Sequence, residues 1–298
     1  MLDSKRKNYL IGFLFILISS ISFSTKSVIV KLVYQLNVDA VTALFLRMGF
    51  ALPFFLVVFF LKKEKIPLTK KQILQIFLLG FLGYYLASIL DFEGLQYISA
   101  GIERLILFIY PTIVLLISSY ILNKKISKIE WISLSITYLG ILIVFSSNEV
   151  PKNTNTYIGV GLIFICAIVY AIYLIGTGEI IHQVGAIRFT ALAMIVACLV
   201  IFMHFFMTKE ISTLYKLPSQ VYFYGFLMGI VNTVIPTFLL SLGIKKIGSG
   251  TTAIIGTIGP VSTIFLAWIF LDEKLAWEQW IGTFFVMLGV FFVSQKKT

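Results

Sequence analysis

Charge is scarce in this chain, and that scarcity decides its class before any motif does. Only 12% of the 298 residues are Asp, Glu, Lys or Arg, against 59% hydrophobic, and the mean hydropathy is +0.99. Soluble domains carry roughly a quarter charged residues, so an ordinary water-facing surface is excluded and the chain needs lipid as solvent. Acid is scarcer than base: 13 Asp and Glu stand against 24 Lys and Arg, a formal charge of +11. The basic residues sit between apolar runs rather than along one stripe, which argues against nucleic acid and fits membrane-flanking lysines.

Histidine and cysteine are nearly absent too. His182, His204, Cys166 and Cys198 are the full complement, and the cysteines lie in apolar segments without CxxC or Cys/His company, so they read as core packing. No GxxxxGK[ST] loop, HExxH, GxSxG or DDxxD occurs, and ATP-driven, zinc-hydrolytic, nucleophile-elbow and metal-pyrophosphate chemistries lack their signatures. No cofactor and no metal is expected. Residues 1–7 and the apolar run after them imitate a signal peptide, but the run outlasts an h-region and no A-x-A site closes it, so it is read as a retained first helix.

What the chain does have is a repeat. Residues 77–144 reappear without a gap, 149 positions later, as 226–293. The identities fall on residues with backbone consequences: Gly80/Gly229, Gly94/Gly243, Gly101/Gly250, Pro111/Pro260 and Gly140/Gly289, with Trp131/Trp280 and Lys125/Lys274. Leucine-rich sequence alone would not align glycines and prolines. A weaker echo pairs Thr42-Ala43-Leu44 with Thr190-Ala191-Leu192, at an offset of 148. Solenoid periods are roughly 20–50 residues, so this is duplication of a half-domain.

At about 20 apolar residues per span, ten helices are expected near 9–33, 41–61, 73–97, 100–122, 131–145, 157–181, 186–207, 221–242, 250–271 and 277–293. With the N-terminus inside, inner segments hold sixteen Lys and Arg, among them Lys5, Arg6, Lys7, Lys62 and Lys63, against Lys152, Lys209, Lys216 and Lys274 outside. That bias places both termini in the cytoplasm. Five helices per half is odd, so the second half enters from the opposite side. The expected fold is therefore an all-α integral membrane protein of ten transmembrane helices in two inverted repeats, 1–148 and 149–298. The loop pair agrees: Asn123-Lys124-Lys125 would be cytoplasmic, and its counterpart Asp272-Glu273-Lys274 external with its positive excess gone.

A charge near a span's centre costs about 2.5–3.5 kcal/mol on insertion scales, so it faces protein or a wet cavity. Lys26 lies some 17 residues into the first helix, roughly 25 Å from the inner end at 1.5 Å per residue. Asp91 and Glu103-Arg104 flank the turn near Ile98, which sets Asp91 beside Arg104 and Glu103 within reach of Lys26. These groups handle substrate or protons, or they pair as structural charges; Arg47 and Arg104 read as structural. Pro111 and Pro260 each remove a backbone donor and free the carbonyl four residues back, Leu107 and Gly256, which predicts symmetric kinks. Gly225 and Gly229 form a GxxxG suited to close helix packing.

These residues resemble the drug/metabolite transporter superfamily in its EamA-type, ten-helix form, over 10–145 and 157–293. Arg47, Ile98-Ser99-Ala100-Gly101, Pro111, Pro260, Leu271-Asp272-Glu273-Lys274-Leu275, Gly140 and Gly289 carry the likeness. Two departures stand out: Phe23-Ser24 and then Lys26 where many relatives show Trp-Gly, and Asn123-Lys124 where the second half has its acidic pair. The resemblance implies a central cavity bounded mainly by helices 1, 3, 4, 6, 8 and 9, and export of metabolites or amino acids.

The expectation is a secondary transporter, not an enzyme, moving a small polar or amphipathic metabolite, amino-acid-like or nucleoside-like, across the inner membrane by alternating access. Its site would be lined by Ser24, Lys26, Tyr84, Tyr85, Asp91, Glu103, Tyr110, Tyr173, Asn232 and Thr257. The alternative is a flippase or membrane enzyme acting on a lipid-linked substrate. Proton coupling through Asp91 or Glu103 is a further expectation, and monomer and dimer both fit. Lys26, Asp91 and Glu103 face uncharged counterparts, Leu174 at the 148 offset and Leu240 and Thr252 at 149, so the charged site belongs to one half.

Overall fold

In lipid a backbone must satisfy its own N–H and C=O groups, and the apolar runs do so as helices. The computed structural model describes residues 2–61, 67–121, 128–146, 153–256, 258–273 and 276–294. Among them every regular element is helical: α1 Leu2–Gln35, α2 Ala40–Leu61, α3 Lys70–Gly80, α4 Ala87–Leu95, α5 Ala100–Leu107, α6 Tyr110–Ile121 and α7 Lys128–Ser146, then α8 Thr154–Val184, α9 Ala186–Thr208, α10 Ser212–Tyr215, α11 Ser219–Gly229, α12 Ile235–Gly256, α13 Ile258–Leu271 and α14 Trp277–Ser294. Six stretches are long and apolar enough to cross a membrane: Tyr9–Gln35, Ala40–Leu61, Lys70–Leu95, Thr154–Val184, Ala186–Thr208 and Ser219–Ile247. Trp131–Val144 and Ile258–Leu271 are shorter apolar helices.

The expected spans depart from straight rods at matched places. Between α3 and α4 the chain widens into a π-helical turn, Phe81–Leu86, and between α11 and α12 into another, Ile230–Val234. The two turns start at repeat-equivalent residues. The fourth span divides at Phe108 and Ile109, where α5 ends at Leu107 and α6 begins at Tyr110. The break precedes Pro111, whose missing N–H leaves the Leu107 carbonyl without its helical donor. Gly185, at φ 86°, forms the turn from α8 to α9, a backbone that only glycine adopts without strain.

Helix α1 measures the arrangement. Gly12 meets Ile247 and Ile16 meets Gly243, while Ser19 donates to the Pro236 carbonyl at 2.9 Å. Further along, Ser24 donates to Gly259 O at 3.0 Å, and Val28 packs with Ala267. Thus α12 descends antiparallel to α1, α13 climbs parallel to it, and the chain reverses between Ile247 and Gly259.

Small residues allow the closest approaches, and the approaches themselves repeat. A β-carbon on Gly140 would sit 2.6 Å from the Gly282 carbonyl oxygen, and one on Gly289 would sit 2.7 Å from that of Ser133. These contacts exchange under the 149 offset, and they run antiparallel along α7 and α14. Likewise Gly94 meets Gly159 and Ile163 on α8 as Gly243 meets Gly12 and Ile16 on α1. Gly225 and Gly229 take the flank of α2 at Leu46, Arg47 and Phe50. Helices α2 and α9 pack through Phe45, Phe202 and Phe205 as a scaffold beside the bundle.

One register assignment changes. Equivalence of Gly12 with Gly159 and of Ile16 with Ile163 is an offset of 147, not 148. Both α1 and α8 are unbroken, so the residue opposite Lys26 is Tyr173 rather than Leu174. One residue turns a helix face by about 100°, so the difference decides what each half presents to the centre.

Candidate functional site

Lys26 is buried on α1 and holds two acids. Its Nζ lies 2.5 Å from Asp91 Oδ2 on α4 and 3.4 Å from Glu103 Oε1 on α5. Ser27, the next residue, donates to Glu103 Oε2 at 2.6 Å. Glu103 is completely buried, whereas Asp91 Oδ1 has no hydrogen-bond partner among the described residues. Asp91 therefore pairs with Lys26 and not with Arg104, the neighbour expected from the hairpin. The reason is the helix start: Ser99 caps α5, and that phase turns Glu103 toward α1.

Arg104 points to the second half. A β-carbon on Gly259 would lie 3.1 Å from its Nη2, and its Nε has no partner among the described residues. Arg47, buried on α2, donates from Nε to Thr233 Oγ1 at 2.7 Å and lies over the Phe92 ring, 5.5 Å from its centroid. Its partners are a hydroxyl and a π-face, neither carrying charge.

Between these groups lies a cavity of about 160 Å³. Lys26, Asp91, Arg47 and Arg104 reach it, as do Ser19 and Ser20 of α1 and Thr237 and Leu240 of α12. Tyrosines make the opposite wall. Tyr84 and Tyr173 are 5.1 Å apart between centroids and share a 2.7 Å hydroxyl hydrogen bond, Tyr173 stacks on Tyr170 at 5.7 Å, and Tyr170 meets Tyr110 edge-on at 5.1 Å. Tyr170 and Tyr173 lie three apart and so share one face of α8.

Of the residues expected to line a site, Lys26, Tyr84, Asp91, Tyr110 and Tyr173 border this cavity. Glu103 stands behind Lys26. Ser24 is buried against Ser20 O and Gly259 O, holding α1 to α13. Asn232 is buried too, donating to Ser22 O and to the Thr25 hydroxyl. Tyr85 points the other way, its hydroxyl 3.2 Å from His204 Nδ1. Thr257 lies outside the described residues. Ser27, Tyr170 and the two arginines are the additions. Ser27 had a signal in its place beside Lys26, and Tyr170 in its spacing from Tyr173.

The acidic end of α13 has a separate task. Glu273 accepts the N–H groups of Ala100 and Gly101 at 3.0 and 3.3 Å, capping α5 from another helix. A carboxylate there complements the helix dipole, and it ties the end of α13 to the helix carrying Glu103 and Arg104.

Comparison with known proteins follows the same outline. The sequence profile of the EamA-like transporter family matches residues 10–146 and 157–295. The chain is similar to the uncharacterized transporter YcbK of Bacillus subtilis (strain 168), with 30% identity over 97% of this chain and 95% of the relative. It is also similar to the uncharacterized transporter sll1319 of Synechocystis, 24% identical over 97% of this chain and 94% of the relative. A solved crystal structure with 12% identity aligns at a TM-score of 0.68 over 97% of this chain and 98% of that one, a likeness of fold. With six crossing helices, these relatives make the chain a multi-pass membrane protein.

Proposed function

The chain belongs to the EamA-like transporter family, and from that premise we propose a secondary transporter that moves a small polar or amphipathic metabolite across the inner membrane by alternating access. The observation that carries this reading is the cavity itself, where charge and tyrosine meet between the two matched stretches. Aromatic faces hold an apolar body while the charges orient its ends. The sequence has no nucleotide-phosphate loop, so a gradient drives the cycle.

The topology proposed is ten helices in two inverted repeats, 1–148 and 149–298, with both termini cytoplasmic. Support comes from the contacts that exchange between halves: antiparallel Gly140–Gly282 with Ser133–Gly289, and Gly94–Gly159 with Gly243–Gly12. A two-fold axis in the membrane plane produces such exchange, and two halves so related can trade conformations and open a central site to each side in turn.

Reconstitution decides between this reading and its alternative. Accumulation of a labelled metabolite inside sealed proteoliposomes supports transport; covalent change of a lipid-linked substrate in detergent, with no need for vesicles, would replace it by an enzyme, and lipid translocation without solute uptake by a flippase. Proton coupling has its own support, because Asp91 and Glu103 share a single ammonium. Equal uptake with and without an imposed pH gradient would remove it.

A further inference from the structure

Three cations and two anions surround the cavity, and they are not matched one to one. Lys26 takes both carboxylates. Among the described residues, Arg47 and Arg104 therefore have no acid in ion-pair contact, the charges of Asp91 and Glu103 acting on them only from farther off, although both reach the cavity. Their depths agree. Arg47 bonds Thr233, whose neighbour Asn232 bonds Ser22 and Thr25, and Arg104 rests on Gly259, which Ser24 bonds. Both guanidinium groups thus lie within about one turn of α1, as does Lys26.

From this arrangement we infer that the cavity binds an organic anion: a carboxylate or phosphate held by Arg47 and Arg104, on a flat apolar body laid against the Tyr84–Tyr173–Tyr170–Tyr110 wall. The inference rests on the reading of the cavity as the substrate site. A desolvated guanidinium without an acid is costly, and a planar fork of N–H donors fits carboxylate and phosphate oxygens in pairs. An incoming anion neutralises the surplus positive charge. An incoming cation adds to it, and the free carboxylate oxygen it would meet, Asp91 Oδ1, belongs to a carboxylate already claimed by Lys26. Tyrosine hydroxyls and a neutral ring face add no competing negative charge.

The test uses the full-length protein in chloride-free detergent buffer and a panel that varies charge on one body: phenylacetate, phenyl phosphate, phenylacetamide, phenethylamine and phenylalanine. Calorimetric binding is expected to rank phenylacetate or phenyl phosphate at least tenfold tighter than the amide and the amine. Arg47→Gln and Arg104→Gln should each cut that preference about tenfold, with size-exclusion profile and helix content unchanged. Arg104→Lys, which keeps charge but loses the fork, should fall between. Parity across the panel, including no binding by any member, overturns the inference, as does tightest binding of phenethylamine or phenylalanine. The wild-type ranking decides even if a glutamine variant does not fold. Flux in proteoliposomes is read separately: anion-selective binding without flux sinks the transporter reading alone, and flux without anion preference sinks this inference alone.

Discussion

Lys26 and its two acids illustrate how a buried charge is retained. Removing one partner of such a cluster leaves the others uncompensated, at about 3–5 kcal/mol, whereas an apolar replacement of the whole group is close to neutral. Lys26→Met is therefore expected to destabilise by about that amount and to abolish uptake, and adding Asp91→Asn with Glu103→Gln should recover most of the stability but no transport. Thermal unfolding in detergent beside vesicle uptake separates the two effects; wild-type kinetics in Lys26→Met would make the cluster structural. A second residue-scale prediction concerns Asp39, between α1 and α2, which accepts from the N–H groups of Val41 and Thr42 and the Thr42 hydroxyl, and pairs with Lys209 at 3.2 Å. Partial burial raises its pKa, but the Thr42 hydrogen bonds and Lys209 outweigh that and hold it below the usual carboxylate value. The folded-state pKa being the lower, its stabilisation is complete above about pH 3.9 and is lost as pH falls through the folded value. Asp39→Ala, which also removes the cap, should cost about 1 kcal/mol and flatten the acid limb of a melting-temperature titration; an unchanged limb would contradict the assignment. At this scale the sequence showed which charges lie at membrane depth, because an isolated Lys or Asp in an apolar run is conspicuous. It did not show that Asp91 turns to Lys26, since partner choice depends on the rotation of three helices.

Helices α7 and α14 cross where glycine carries no side chain, and the first π-helical turn sits where the chain passes the cavity, through Gly83 and Tyr84. Gly140→Val should force the pair apart, because its β-carbon meets the Gly282 carbonyl at 2.6 Å, backbone that cannot step aside. The expected cost is about 1–3 kcal/mol, read as a lower melting temperature; no change would mean that the helices are not in contact there. Deleting Leu82 tests the first π turn. A π turn absorbs one extra residue, so this deletion should restore plain α-helix with Asp91 on the same face and leave uptake in place. Deleting Leu90 beyond the turn instead rotates Asp91 by about 100° and should abolish uptake with helix content by circular dichroism unchanged; loss of uptake in the Leu82 deletion would contradict the assignment. Such turns were illegible in the sequence for a physical reason: a helix apolar on all sides shows no periodicity for an inserted residue to disturb. The prolines were legible, since a missing N–H acts locally. Before Pro111 the kink is a full break of the helix at Phe108 and Ile109.

For the whole molecule, the inverted arrangement makes a prediction about sidedness. Cysteines at Lys70 and Asp272 should label from opposite faces with a membrane-impermeant maleimide, Lys70→Cys only from the cytoplasmic side and Asp272→Cys only from outside. Native Cys166 and Cys198 are buried and contribute little background. Labelling of both from one side would remove the inverted topology, and with it the structural basis for alternating access. Composition and repeat were sufficient for a helical, lipid-embedded, duplicated chain, because solvent preference sums over residues and a duplication persists in the order of its glycines and prolines. What only the tertiary structure decided is which residues face the centre: Tyr173 and not Leu174 opposite Lys26, both acids on one lysine, and two arginines with no acid in ion-pair contact among the described residues. Those outcomes depend on the rotation of one helix against another, which a shift of a single residue reverses and which an apolar surface, equally content on every side, does not record.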